Sequence, residues 1–255
     1  MEEDKIPKII HYCWFGRGKK SKLMCKCMKT WKKYFPEYKI VEWNEDNFDI
    51  NSNEYVMEAY KHKKYAFVSD YARLYALYNF GGIYFDTDIQ VIKNFDDIIK
   101  NMDIYAFEKK DLIMTGVMIA KKGSKIIEQF LRIYDDLKFL NHDDSLNLLP
   151  NTYRLTEILK KNGLICNNQK QILKNNLAEI YPIEYFCAYD MDNSHFIPTK
   201  NTYTIHHYDG SWTSGKEKIL KIMKRALSNV IGLEMYDKIR NIKKGRKNEN
   251  SDNNY

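Results

Sequence analysis

With 255 residues, of which 44% are hydrophobic and 14% aromatic, the chain has enough apolar surface for one large core, which excludes disorder over most of its length. The net charge of +7 is uneven: residues 216–247 hold eleven Lys or Arg against three Asp or Glu, a balance of +8, so the remainder is near −1 and a nucleic-acid-binding core is excluded. No apolar run approaches the roughly 18 residues of a membrane span, MEEDKIPKII has no leader-like pattern, and five scattered cysteines fit a reducing compartment; the expectation is a cytoplasmic protein.

The elements follow in chain order. PKIIHYCWFG (7–16) reads as a short apolar strand ended by glycine, SKLMCKCMKTWKKYF as a helix with apolar residues at helical spacing, and YKIVEW as a second strand. NEYVMEAYKHKKYAFVSDYARLYALYNF holds one or two further helices, stopped by Gly81 and Gly82 before the strand IYFDTDIQVI. DIYAFEK and MTGVMIAKK read as strands, SKIIEQFLRIYDDLKFL as an amphipathic helix, and YRLTEILKKNG as a helix stopped by Gly163. A last strand, TYTIHHYDGSW, precedes the basic stretch. Alternation of this kind predicts an α/β fold with a mainly parallel central sheet over residues 1–215, a basic amphipathic helical tail at 216–247 and a disordered terminus at 248–255.

Alternation along 83–91 places Ile83, Phe85, Ile89 and Val91 on one face, expected to be core, and Tyr84, Asp86, Asp88 and Gln90 on the other. The D-x-D pattern alone says little. With 19 aspartates, roughly 1.4 such pairs are expected by chance, and a second lies at Asp190 and Asp192. Position separates them: Asp86 and Asp88 stand towards the carboxyl end of a buried strand, where ligands bind in open α/β sheets, and two hard oxygen donors there can share a divalent cation. On the preceding helix, Asp70 and Arg73 form an i,i+3 pair on a surface apolar nearly all round. They are expected to face a polar pocket, where a carboxylate and a guanidinium fix sugar hydroxyls.

Three stretches, IPKIIHYCWFG (6–16), FVSDYARLYALYNFGGIYFDTD (67–88) and IHHYDGSW (205–212), resemble the bacterial polysaccharide-type members of glycosyltransferase family 32, the DXD sugar-binding-region group, and more distantly the catalytic domains of large glucosylating toxins. The resemblance implies a GT-A (Rossmann-like) fold, a Mn²⁺ or Mg²⁺ ion, a nucleotide-sugar donor with UDP favoured over GDP, and a glycan or lipid-linked acceptor in surface polysaccharide synthesis. Carried over by position, Trp14 stacks on the nucleobase, Ser69 contacts the nucleotide, and Asp70 and Arg73 hold the donor sugar. Tyr84 lines the diphosphate pocket, Asp86 touches ribose and metal-bound water, Asp88 binds the metal, and His207, Ser211 and Trp212 close over the diphosphate. His206 and His207 are strand neighbours that point opposite ways, so one of them reaches the metal; HYDG favours His207 by resemblance. Transfer with retention of configuration is implied in the same way.

The alternatives are a metal-dependent nucleotide-sugar hydrolase or phosphotransferase using the same pair, and a non-catalytic glycan-binding protein. The stretches DLIMTGVMIA and NHDDSLNLLPNTYRLT are expected to line the acceptor side. The tail is expected either to pack on the catalytic domain or to make peripheral contact with the inner face of the membrane.

Overall fold

The computed structural model describes residues 5–190 and 195–209, without the side chains of residues 190 and 195. In chain order the elements are β1 (Ile9–Cys13), α1 (Lys22–Tyr34), β2 (Lys39–Trp43), α2 (Glu54–Lys61), α3 (Tyr65–Phe80), β3 (Gly82–Phe85), β4 (Ile89–Val91), β5 (Asp103–Lys109), β6 (Leu112–Ile113) and β7 (Val117–Ala120). There follow α4 (Lys125–Ile133), α5 (Asn151–Lys161), β8 (Gln171–Ile172), β9 (Ala178–Tyr181), α6 (Ile183–Phe186), β10 (Tyr189–Asp190), β11 (His195–Phe196) and β12 (Thr204–His206). The segments proposed as a basic tail and terminus, and Ser211 and Trp212, lie outside the described residues, as do the side chains of the second D-x-D pair. Among the described residues no helix is long and apolar enough to cross a membrane.

The central sheet runs β2-β1-β3-β7-β5-β9-β8, with β6 joined to β5. The strands β2, β1, β3, β5 and β9 run one way; β7, wedged antiparallel between β3 and β5, and the edge strand β8 run the other. The sheet is therefore mainly parallel, as expected, with an antiparallel insertion that periodicity does not reveal.

Both faces of the sheet are buried. Tyr84, Tyr105, Phe107, Met118 and Ala120 pack with α2, α3, α4 and α5 on one side. Ile83, Phe85, Ile104, Ala106, Val117 and Ile119 pack with α1 and α6 on the other. Strand alternation thus feeds two cores, in a helix–sheet–helix arrangement. This corrects the half-polar reading of β3: Tyr84 is as buried as its neighbours, because α3 covers the face expected to be open.

Local signals explain the boundaries. Ser21 caps α1 by accepting from the Met24 amide at 3.1 Å, and Ser124 caps α4 through the Ile127 amide at 3.2 Å. The step from α3 to β3 needs its two glycines. Gly81 and Gly82 have φ of +65° and +112°, and a Cβ on Gly82 would sit 2.5 Å from the Ile9 carbonyl oxygen of the neighbouring strand. The α4 helix is shorter than its pattern, ending at Ile133.

Candidate active site

The carboxyl ends of β1, β2, β3 and β5 share one edge of the sheet, and the chemistry-bearing residues gather there. The D-x-D pair does not lie within a strand. β3 ends at Phe85, and Asp86-Thr87-Asp88 forms a turn closed by the Ile89 amide on the Asp86 carbonyl at 3.0 Å. The Asp86 amide donates to the Gly116 carbonyl at 2.8 Å, extending the β3–β7 ladder by one bond before the chain turns. β4 then pairs antiparallel with β12, away from the main sheet.

That turn decides which histidine meets the aspartates. The β12–β4 register sets His206 opposite Ile89, on the buried side with Val91 and Thr204. His207 falls on the other side, its Nε2 2.8 Å from Gln90 Oε1. Were 83–91 one continuous strand, Asp88 would share the Gln90 side; the turn swings it to the inner one. The structure accordingly brings His206 to Asp88, with Nε2 3.3 Å from Oδ1, in place of the expected His207. The ligand atoms of Asp86, Asp88 and His206 lie within 4.8 Å of one another. Two carboxylates and an imidazole at that spacing suit a divalent cation. Among the described residues the buried His206 Nδ1 has no hydrogen-bond partner.

The electrostatics are those of a concentrated charge cluster. Burial works to raise the Asp88 carboxyl, but the charge and hydrogen bond of His206 and the Asp209 amide, 2.8 Å from Oδ2, bring it down to about 2. Burial pulls the His206 ring down, and Asp88, helped by Asp86 and Glu108, more than reverses that and raises it. The ring stacks on Tyr208 at 3.8 Å and 24°, which fixes its plane.

Arg73 is the hub of the other half. It is 5% exposed; Nη2 lies 3.0 Å from Asp70 Oδ1 and 3.3 Å from Asp86 Oδ1, Nη1 donates to the Thr115 carbonyl at 2.7 Å, and Nε donates to the Ser69 carbonyl at 3.3 Å. The guanidinium lies over the Tyr84 ring at 4.6 Å, and the Tyr84 hydroxyl donates to Asp86 Oδ1 at 2.9 Å. The expectation that Asp70 and Arg73 turn away from open solvent is met. Burial pushes the Asp70 carboxyl up to about 6, with Arg73 holding it from going further.

Other expected residues are placed less tightly. Trp14 follows β1, half-buried, its indole Nε1 donating to the Gly18 carbonyl at 2.8 Å; no contact joins it to the aspartates. The Ser69 hydroxyl donates to the Tyr65 carbonyl of its own helix at 3.0 Å.

Three residues escaped sequence reasoning. Thr115 and Gly116 belong to a stretch assigned to the acceptor side, yet they touch Arg73 and Asp86 through their carbonyls. Glu108 lies where the β5–β6 register shifts between Phe107 and Lys109, a bulge that re-aims a side chain at a sheet edge. Burial pushes its carboxyl up to about 7, and it lies within electrostatic reach of His206 and Asp86. The only sequence signal for any of these is Glu108, a charged residue closing an apolar strand.

A D-x-D turn thus stands beside a buried Asp–Arg hub at the carboxyl edge of the sheet. Residues 21–105 match the family model described as "Glycosyltransferase sugar-binding region containing DXD motif", and this stretch, from the α1 cap into β5, holds Asp70, Arg73, Asp86 and Asp88. The matched stretch makes up about one third of the chain, which is thus similar to the DXD glycosyltransferases over that part of its length. Among solved structures it is similar to the PaToxG glycosyltransferase, at 20% identity over 51% of this chain, with a TM-score of 0.43; it spans 60% of the length of that chain. It is also similar to a glycosyltransferase involved in the glycosylation of the major capsid of PBCV-1, at 12% identity over 86% of this chain and 100% of that chain, with a TM-score of 0.49. No curated protein matches it.

Proposed function

We propose that the protein transfers a sugar from a nucleoside-diphosphate sugar to a glycan or lipid-linked oligosaccharide, in the synthesis of a surface polysaccharide such as a capsule. The observation that carries this reading is the convergence of Asp86, Asp88 and His206 beside the Arg73–Asp70 hub. Asp86, Asp88 and His206 would hold Mn²⁺ or Mg²⁺, which when bound supplies the positive charge that stabilises a departing diphosphate. The imidazole favours Mn²⁺ over the harder Mg²⁺.

The protein's own groups do the positioning. Arg73 spends its N–H groups on Asp70, Asp86 and two backbone carbonyls, so it orients carboxylates instead of gripping substrate alone. Asp70, bound to Arg73 through Oδ1, keeps an oxygen to accept from donor-sugar hydroxyls. Trp14, half-open at the end of β1, offers a face for the nucleobase, with a UDP-sugar favoured over a GDP-sugar. Ser69, Ser211, Trp212 and His207 border the nucleotide, and transfer proceeds with retention of configuration, as the family resemblance suggests.

Five unpaired cysteines support a reducing, cytoplasmic setting, and the basic residues 216–247 support peripheral contact with anionic lipid at the inner membrane face. The test is a melting screen of UDP- and GDP-sugars with and without Mn²⁺, since a ligand of the folded state raises apparent stability by mass action. A rise with UDP-sugar that requires Mn²⁺ is expected. No rise with any nucleotide sugar would overturn the reading.

A further inference from the structure

Gly116 stands between β6 and β7, and it is a glycine for a reason unlike that of Gly81 and Gly82. Those two have positive φ and backbone atoms at close range, whereas Gly116 is not among the positive-φ residues. Its backbone would accept alanine. What a Cβ there would meet is the site itself: Asp86 Oδ2 at 3.0 Å, His206 Cε1 at 3.1 Å and His206 Nδ1 at 3.4 Å.

Both neighbours are held from behind. Asp86 is tied through Oδ1 to Tyr84 and Arg73 and through its amide to the Gly116 carbonyl. The His206 ring is stacked on Tyr208, its Nε2 faces Asp88, and its amide donates to the Cys187 carbonyl at 3.1 Å. A methyl group at 116 would therefore stand against both ligand side chains at once, in the gap across which they converge. The residue before it adds to the same task, since the Thr115 carbonyl fixes Arg73 at 2.7 Å.

We infer that Gly116 is a positioning residue of the cation site: the bare backbone of the Thr115–Gly116 strap sets Asp86 and leaves the space in which the Asp86 carboxylate and the His206 ring close on one ion. The inference rests on the reading that Asp86, Asp88 and His206 bind a divalent cation. It moves this strap from the acceptor side to the donor and metal side, and it makes residue 116 a determinant of cation affinity that touches neither cation nor sugar.

The test uses the full chain and Mn²⁺ alone as probe, with free Mn²⁺ read by electron paramagnetic resonance and metal-free melting followed in parallel. Gly116→Ala is expected to weaken Mn²⁺ binding about tenfold or more, the scale of changes that misplace a metal ligand without removing it, while the metal-free chain still folds and melts in one transition. Equal Mn²⁺ affinity in parent and variant would overturn the role of Gly116 and leave the cation reading standing. A parent chain that binds no Mn²⁺ would overturn the cation reading and this inference with it. If Gly116→Ala lowers metal-free stability, His206→Ala is added to remove the ring that the methyl meets. Recovery of melting in this double variant, or in Gly116→Ala combined with Asp86→Ala, supports the inference, and loss that persists in both contradicts it by assigning Gly116 to the backbone.

Discussion

Arg73 shows how one side chain can tie a fold to a site. Its three nitrogens are committed to Asp70, Asp86, the Thr115 carbonyl and the Ser69 carbonyl, and its plane covers Tyr84. A lysine would keep the charge and lose the fork, because one ammonium cannot span two carboxylates and two carbonyls from the same stem. Arg73→Lys is expected to lower both stability and donor turnover, the stability loss being smaller than the roughly 3–5 kcal/mol of breaking a buried pair outright. Urea denaturation beside steady-state kinetics checks this; unchanged values in both would remove Arg73 from the hub. His206 makes the complementary point. Its identity as the aspartates' neighbour hangs on the turn at 86–88, which carries no glycine or proline, and Thr87 and Ile89 are β-formers, so the sequence reads as uninterrupted strand.

At the scale of elements, periodicity and punctuation made most of the fold legible. β1, α1, β2, α3, β5 and α5 lie where their patterns place them, and the Gly81–Gly82 stop is a conformational necessity. The antiparallel insertion of β7 was not legible, because strand direction is fixed by which neighbours it pairs with across the sheet. The β4–β12 pair was hidden for the same reason, and with it the site's histidine. The Asp70–Arg73 pair was legible because charged residues on an all-apolar helix must turn towards something polar.

One joint between elements also sets a pH response. His11 of β1 accepts from the Trp43 indole N–H at Nδ1, 3.1 Å, and donates from Nε2 to the Gly81 carbonyl, 2.8 Å, so the ring is neutral and clamps β2 and the glycine turn. Burial lowers its pKa, the Gly81 carbonyl opposing. The unfolded chain then takes up the proton first as pH falls, so this contribution is whole above about 6.5, the unperturbed histidine value, and is lost as pH drops below it. Urea midpoints between pH 8 and 5 for the parent and His11→Gln are expected to converge on the acid side. Parallel curves would show that His11 does not titrate with folding.

For the whole molecule, the charge is uneven, with a near-neutral body and basic residues 216–247, and the membrane contact proposed for those residues can be tested directly. Basic residues near an anionic leaflet contribute about 1 kcal/mol each, screened by salt. The full chain is expected to sediment with anionic vesicles at low ionic strength and a chain ending at Gly215 is not; equal partitioning of the two would assign the tail no membrane role. The central claim concerns the D-x-D turn, and one comparison addresses it most directly: sugar transfer by the parent and by Asp88→Asn across a Mn²⁺ titration, using the donor that stabilises the parent. The substitution keeps the size of the side chain and an acceptor for the Asp209 amide while discarding the charge. Donor turnover should fall by on the order of 10²- to 10³-fold at every Mn²⁺ concentration, with the metal-free chain still folded but melting lower, since the charge that His206 and the Asp209 amide stabilise is lost. Transfer at the parent's rate across the same titration would contradict the assignment of Asp88 to the cation, and with it the reading of the site.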